Sequence, residues 1–141
     1  MAAFRYTTDH SKWFKGNTHL HSTASDGGKT FAELADMYAG RGYDFLFRTD
    51  HWTCPADPIR GNHYPLLWLD GIELDGIDYG DNLYHVCCLG KFDGLDRQMG
   101  LVAAVEEVRR QGGILILAHP SWSGNRQSEI LHWGFHGVEV Y

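Results

Sequence analysis

Residues 17–28, NTHLHSTASDGG, set His19 and His21 two positions apart and put an acid, Asp26, five positions beyond the second histidine. In an extended strand residues i and i+2 project to the same side. Both imidazoles can therefore reach one cation, while the following turn carries the Asp26 carboxylate towards a neighbouring one. A lone His-x-His pair is a weak signal. It gains weight from His51 in RTDHW, Glu73 in DGIELDG, His85 in YHVCC and His119 in LILAHPSW. Each lies in or just after an apolar run of strand length, where one end of a sheet or barrel would present it.

The elements that must carry these residues alternate strand and helix, an α/β pattern. Residues 13–20 are expected as a first strand. Thr30 opens a helix through a capping box with Glu33, burying Phe31, Leu34, Ala35 and Tyr38, and Gly40 and Gly42 end it. Residues 43–48, 66–74 and 83–89 follow as strands, the last two separated by a turn rich in Gly and Asp. Asp96 is expected to cap a second helix with Leu101, Val102, Val105 and Val108 on its inner face and Glu106 paired with Arg110 on the outer one. Gly112 and Gly113 stop that helix. Residues 114–118 read as a buried parallel strand, and residues 137–141 begin another.

At 141 residues, 43% of them hydrophobic, the chain can fill one core of its own. Twelve Lys and Arg against eighteen Asp and Glu leave a net charge of −6. That sign disfavours broad contact with nucleic acid or an anionic membrane, and bound divalent cations would offset part of it. Cys54, Cys87 and Cys88 match no disulfide framework or metal-ligand spacing and read as reduced, largely core thiols. Without a signal-peptide core or an apolar span, the expected location is the cytoplasm.

The ordered set HLHSTASDG, TDH, GIEL, YHVCCLG and AHP resembles the polymerase and histidinol phosphatase (PHP) superfamily of metal-dependent hydrolases, over nearly the whole chain. FKGNTHLHSTASDGG, GYDFLFRTDH and AHPSW look most similar to its carbaryl-hydrolase-like branch, where ester and carbamate hydrolases stand beside phosphoesterases. The resemblance implies a distorted (βα)7-type barrel of mainly parallel strands with metals at their C-terminal ends. The family's closing Asp-x-His does not occur between His119 and Tyr141. The chain is therefore expected to supply the N-terminal portion of such a barrel, with open edges that favour self-association.

Carried over residue by residue, the resemblance implies two or three divalent ions, Zn, Mn or Fe. His19 and His21 would hold the first, Glu73 would bridge to a second that also takes His85 and His119, and Asp26 with His51 would hold the third. Glu73, His119 and Asp26 are thus the candidate catalytic groups. Asp50 joins them as a residue that orients a ligand histidine or merely shapes the turn. Arg48 is a candidate grip for a substrate anion, or a structural ion pair with Asp50 or Glu139. Trp52 and Trp122, beside expected ligands, are candidates to line an apolar pocket. His10, His63, His132 and His136 lack motif context and read as surface residues.

The favoured function is metal-dependent hydrolysis of a small phosphoester. Cleavage of a carboxylic ester or carbamate is the alternative within the enzyme class, and a non-catalytic metal-binding or interaction domain is the alternative outside it. A nuclease role fits poorly with an acidic chain lacking a basic stripe.

Overall fold

The computed structural model describes residues 13–53 and 64–140; His10, Cys54 and His63 lie outside them. Six strands form one sheet in chain order: β1 (Gly16–Asn17), β2 (Phe45–Arg48), β3 (Leu67–Ile77), β4 (Leu83–Leu89), β5 (Ile114–Leu117) and β6 (Gly137–Val138). The β1–β2, β2–β3 and β5–β6 pairings are parallel, whereas β4 runs antiparallel to both β3 and β5. The strand at residues 114–118, expected to be parallel, is therefore parallel on one side only. The sheet curls like part of a distorted barrel: beyond β1 and at the end of β6, its outermost strands, His19 Nδ1 and Glu139 Oε1 come within 2.7 Å.

Period-two alternation divides the chemistry from the packing. Ile72 and Leu74 of β3, Tyr84, Val86 and Cys88 of β4, and Leu115 and Leu117 of β5 form one buried cluster with helix α2 (Leu101–Arg110). Helix α2 contributes Leu101, Ala104, Val105 and Val108, one face at helical spacing. The intervening strand residues Glu73 and Asp75 point the other way, towards the histidines. A second cluster, Leu20, Leu34, Leu46 and Leu66, joins helix α1 (Phe31–Ala39) to the first strands.

Thr30 and Glu33 form the expected capping box at the start of α1, an arrangement whose loss typically costs about 1 kcal/mol. Asp96 does cap, but what it caps is a short 3-10 turn at Arg97–Met99; Gly100, at φ 75°, separates that turn from α2. Arg110 binds Glu107 through both Nε and Nη2, at 2.8 and 2.6 Å, rather than Glu106. Two short helices follow β5, α3 (Pro120–Ser123) and α4 (Gln127–Trp133). No helix among the described residues is long and apolar enough to cross a membrane.

Candidate metal centre

The first strand is shorter than its apolar run implies. Past Asn17 side chains take over from the backbone ladder: Asn17 Oδ1 accepts the His19 N–H at 3.1 Å, and Thr49 Oγ1 accepts the Leu20 N–H at 2.7 Å. The Thr49 N–H in turn donates to the Leu20 carbonyl. His19 and His21 are thus carried by an extended segment tied to the end of β2. The next loop folds back on itself through the Ser25 and Gly27 N–H groups, which both donate to the Ser22 carbonyl. Gly27 is required there, because a Cβ would lie 2.3 Å from the His21 carbonyl oxygen.

His51 follows β2 and bridges in parallel register to Glu73. The antiparallel turn of β4 brings His85 opposite Asp75, and the end of β5 delivers His119. His119 adopts φ 26°, a left-handed backbone rare for a residue with a side chain.

These elements surround Glu73, which has no exposed surface. Its Oε2 lies 2.8 Å from His21 Nε2, 3.1 Å from His19 Nε2 and 3.6 Å from His51 Nε2. Its Oε1 lies 3.1 Å from His85 Nδ1 and 3.3 Å from His119 Nε2. One carboxylate therefore faces a different set of imidazoles with each oxygen. His19 and His21 do converge, with their Nε2 atoms 3.0 Å apart. Three-donor groups whose atoms all lie within 4.8 Å of one another nevertheless link His19 with His119 and Glu73, His21 with His51 and Glu73, and His19 with Cys87 and Glu139. Asp26, largely exposed, lies 3.3 Å from His21 Nδ1 and 3.8 Å from His51 Nε2.

Burial opposes charge on the Glu73 carboxyl, but hydrogen bonds from His19, His21 and His85 hold it far below the usual carboxylate range. Burial likewise opposes protonation of His19, yet the Glu73 and Glu139 carboxylates raise it to about 8. His119 is lowered, by burial first and then by the neighbouring His85 and His19. A buried anion encircled by imidazole nitrogens is the donor chemistry of a site for Zn²⁺, Mn²⁺ or Fe²⁺, and the residues present fit such ions.

The cluster floors an open cleft of about 560 Å³ that Ser121 and Trp122 also line. The Trp122 ring stands edge-on to His85 and His119, with centroids 5.3 Å from each. Trp52 does not line the cleft: its indole N–H donates to the Asp75 carbonyl at 3.1 Å, and Arg97 covers its ring. Nor does Arg48, which is buried and ion-paired with Asp70 on the adjacent strand instead of with Asp50 or Glu139. Asp50 touches no histidine ring by hydrogen bond among the described residues. It accepts from the Ser22 N–H at 2.7 Å and from the Ser22 and Ser25 hydroxyls at 2.9 and 2.7 Å, fixing the loop that carries His21.

Two carboxylates at the site were not among the expected ligands. Asp75 Oδ1 lies 3.0 Å from His51 Nδ1, and its position two residues beyond Glu73, on the same strand face, was a readable signal. Glu139 reaches both His19 and His119; an acid between valines in GVEVY was its only mark.

No protein-family model and no curated protein sequence matches the chain. Solved structures do. A two-domain protein from Bacteroides vulgatus containing a predicted PHP-like metal-dependent phosphoesterase superposes with a TM-score of 0.70 at 19% identity, over 90% of this chain and 44% of that one. An amidohydrolase from Chromobacterium violaceum, with bound sulfate and no metal, gives 0.67 at 18% identity, over 90% and 76%. A candidate metal-dependent phosphoesterase from Bifidobacterium adolescentis gives 0.66 at 14% identity, over 90% and 77%. The chain thus spans less than half the length of the first of these. It shares its fold with these three structures. None of the three is described as a carbaryl hydrolase, so that narrower branch draws no support from them.

Proposed function

We propose that the protein is a metal-dependent hydrolase of the PHP type that cleaves a small phosphoester. The observation carrying this reading is the buried Glu73 carboxylate ringed by His19, His21, His51, His85 and His119 at the floor of an open cleft. In this reading Glu73 is shared by two divalent ions, with His19, His21, His85 and His119 as their other ligands, and Asp26 with His51 serves a third. Bound there, such ions supply water activation near neutral pH and neutralise charge developing on the attacked group. The chain's own contribution is orientation: Asp50 fixes the His21 loop and Glu139 stands behind His19, while Asp75, held by Arg97, places a negative charge beside His51.

The two structural neighbours described as metal-dependent phosphoesterases support phosphorus as the attacked centre, and the neighbour described as an amidohydrolase keeps carbon in play. The exposed Trp122 ring beside the cluster favours a substrate with an aryl or other planar group, which keeps aryl ester and carbamate cleavage as the second reading.

The test is hydrolysis of p-nitrophenyl phosphate, p-nitrophenyl acetate and an aryl carbamate by protein reconstituted with Zn²⁺ or Mn²⁺. Phosphate release abolished by chelator and restored by metal is expected. Turnover of ester or carbamate alone would move the assignment to the second reading, and no turnover of any substrate despite full metal loading would overturn the enzymatic assignment.

A further inference from the structure

Glu139, a carboxylate that the ligand scheme leaves unused, contacts two of the histidines around Glu73, His19 and His119. It follows β6, and its own N–H donates to the Leu117 carbonyl at 2.9 Å, extending the parallel pairing by one residue. The two oxygens of its side chain go to different segments. Oε1 lies 2.7 Å from His19 Nδ1, and Oε2 accepts the backbone N–H of His119 at 2.8 Å. Both histidines turn their Nε2 atoms the other way, to 3.1 and 3.3 Å from Glu73.

We infer that Glu139 is a positioning residue for the metal site, holding the His19 ring and the His119 backbone so that their Nε2 lone pairs converge with Glu73 on one cation. The inference rests on the function proposed above. A carboxylate accepting the Nδ1 proton of His19 fixes the tautomer in which Nε2 is free to ligate and makes that nitrogen a better donor. Its bond to the His119 N–H holds the left-handed φ of 26° that aims the second ring. Both donors belong to one three-donor group with Glu73. The competing arrangement is a cation on the opposite face of His19, shared with Cys87 and Glu139, whose donor atoms also lie within 4.8 Å of one another.

The experiment measures Zn²⁺ affinity of the wild type, Glu139→Gln and Glu139→Ala by competition with a chromophoric chelator, with ¹⁵N spectra of histidine-labelled, zinc-loaded wild type. Loss of an outer carboxylate partner typically weakens metal binding by about 10- to 100-fold, which is the loss expected for Glu139→Ala at unchanged ion count. Glu139→Gln should fall between, because an amide can accept only one of the two N–H bonds and turns an NH₂ towards the other. It also serves as the readout should the alanine variant not fold. The wild-type spectrum should show His19 protonated at Nδ1 and metallated at Nε2. Affinities within twofold of wild type in the folded variants, or metal at His19 Nδ1, would overturn the inference. A wild type that takes up no zinc would overturn the underlying site reading instead.

Discussion

Replacing Glu73 by Gln preserves the shape of the side chain while removing its charge and turning one of its two oxygens into an NH₂ that cannot bind a cation, which makes it the sharpest probe of a shared carboxylate. Two opposite unit charges about 4 Å apart at an effective dielectric of about 20 attract by about 4 kcal/mol, a lower bound for a divalent ion in contact with the carboxylate. At about 1.4 kcal/mol per decade, the loss for even one ion is close to a thousandfold in binding constant. A second ion facing the other carboxylate oxygen would lose a comparable amount, although the remaining amide oxygen can still serve one of them. Chelator competition should therefore find the tighter site weakened by about three decades. Calorimetry provides an independent check, since stabilisation by a bound ligand scales with ln(1 + [L]/Kd). The zinc-induced rise in melting temperature should largely disappear, while the metal-free variant melts as a cooperative unit. A Glu73→Gln variant that still binds two ions within tenfold of wild-type affinity would refute the bridging role.

Three other outcomes follow from the same geometry. His19, raised to about 8 from an ordinary 6.5, should stabilise the metal-free protein fully below about pH 6.5 and lose that contribution as pH rises through about 8; the melting-temperature gap between wild type and His19→Gln in chelator should close over this window, and a gap that widens with pH would contradict it. Burial, with the Glu73 carboxylate adding to it, pushes the Cys87 and Cys88 thiols up, so iodoacetamide at pH 8 should leave the peptide containing both unmodified until the protein is unfolded, as read by mass spectrometry. Trp122→Ala should lower kcat/KM for an aryl phosphate about fivefold, the equivalent of a ring contact worth about 1 kcal/mol, and leave a small alkyl phosphate unaffected; equal losses on both would assign Trp122 to holding His85 and His119.

Local patterns were legible where side chains alone decide them. The strand Leu83–Leu89 has the bounds its apolar run implies, and the Thr30–Glu33 box starts α1 where expected. Reading failed where two segments compete for one backbone group. The first strand stops at Asn17 because Asn17 and Thr49 side chains capture the next N–H groups. Asp96 caps a separate turn because Gly100 breaks the helical path before Leu101. Arg48 faces Asp70 because β2 and β3 lie in parallel register, a relation that no local pattern contains. The expected site histidines and Glu73 were visible as polar residues at the ends of apolar runs. Glu139 was not, since its role arises only when the curled sheet brings it against a histidine 120 positions away.

The most direct test of the central claim, that divalent ions sit on Glu73, is anomalous diffraction from crystals grown with Zn²⁺, collected on both sides of the zinc edge. At least two strong peaks are expected, each at about 2.0–2.2 Å from a Glu73 carboxylate oxygen and from histidine nitrogens, drawn from His19, His21, His51, His85 and His119. Fully zinc-equilibrated crystals with no peak in that cluster, or with zinc bound only elsewhere, would contradict it.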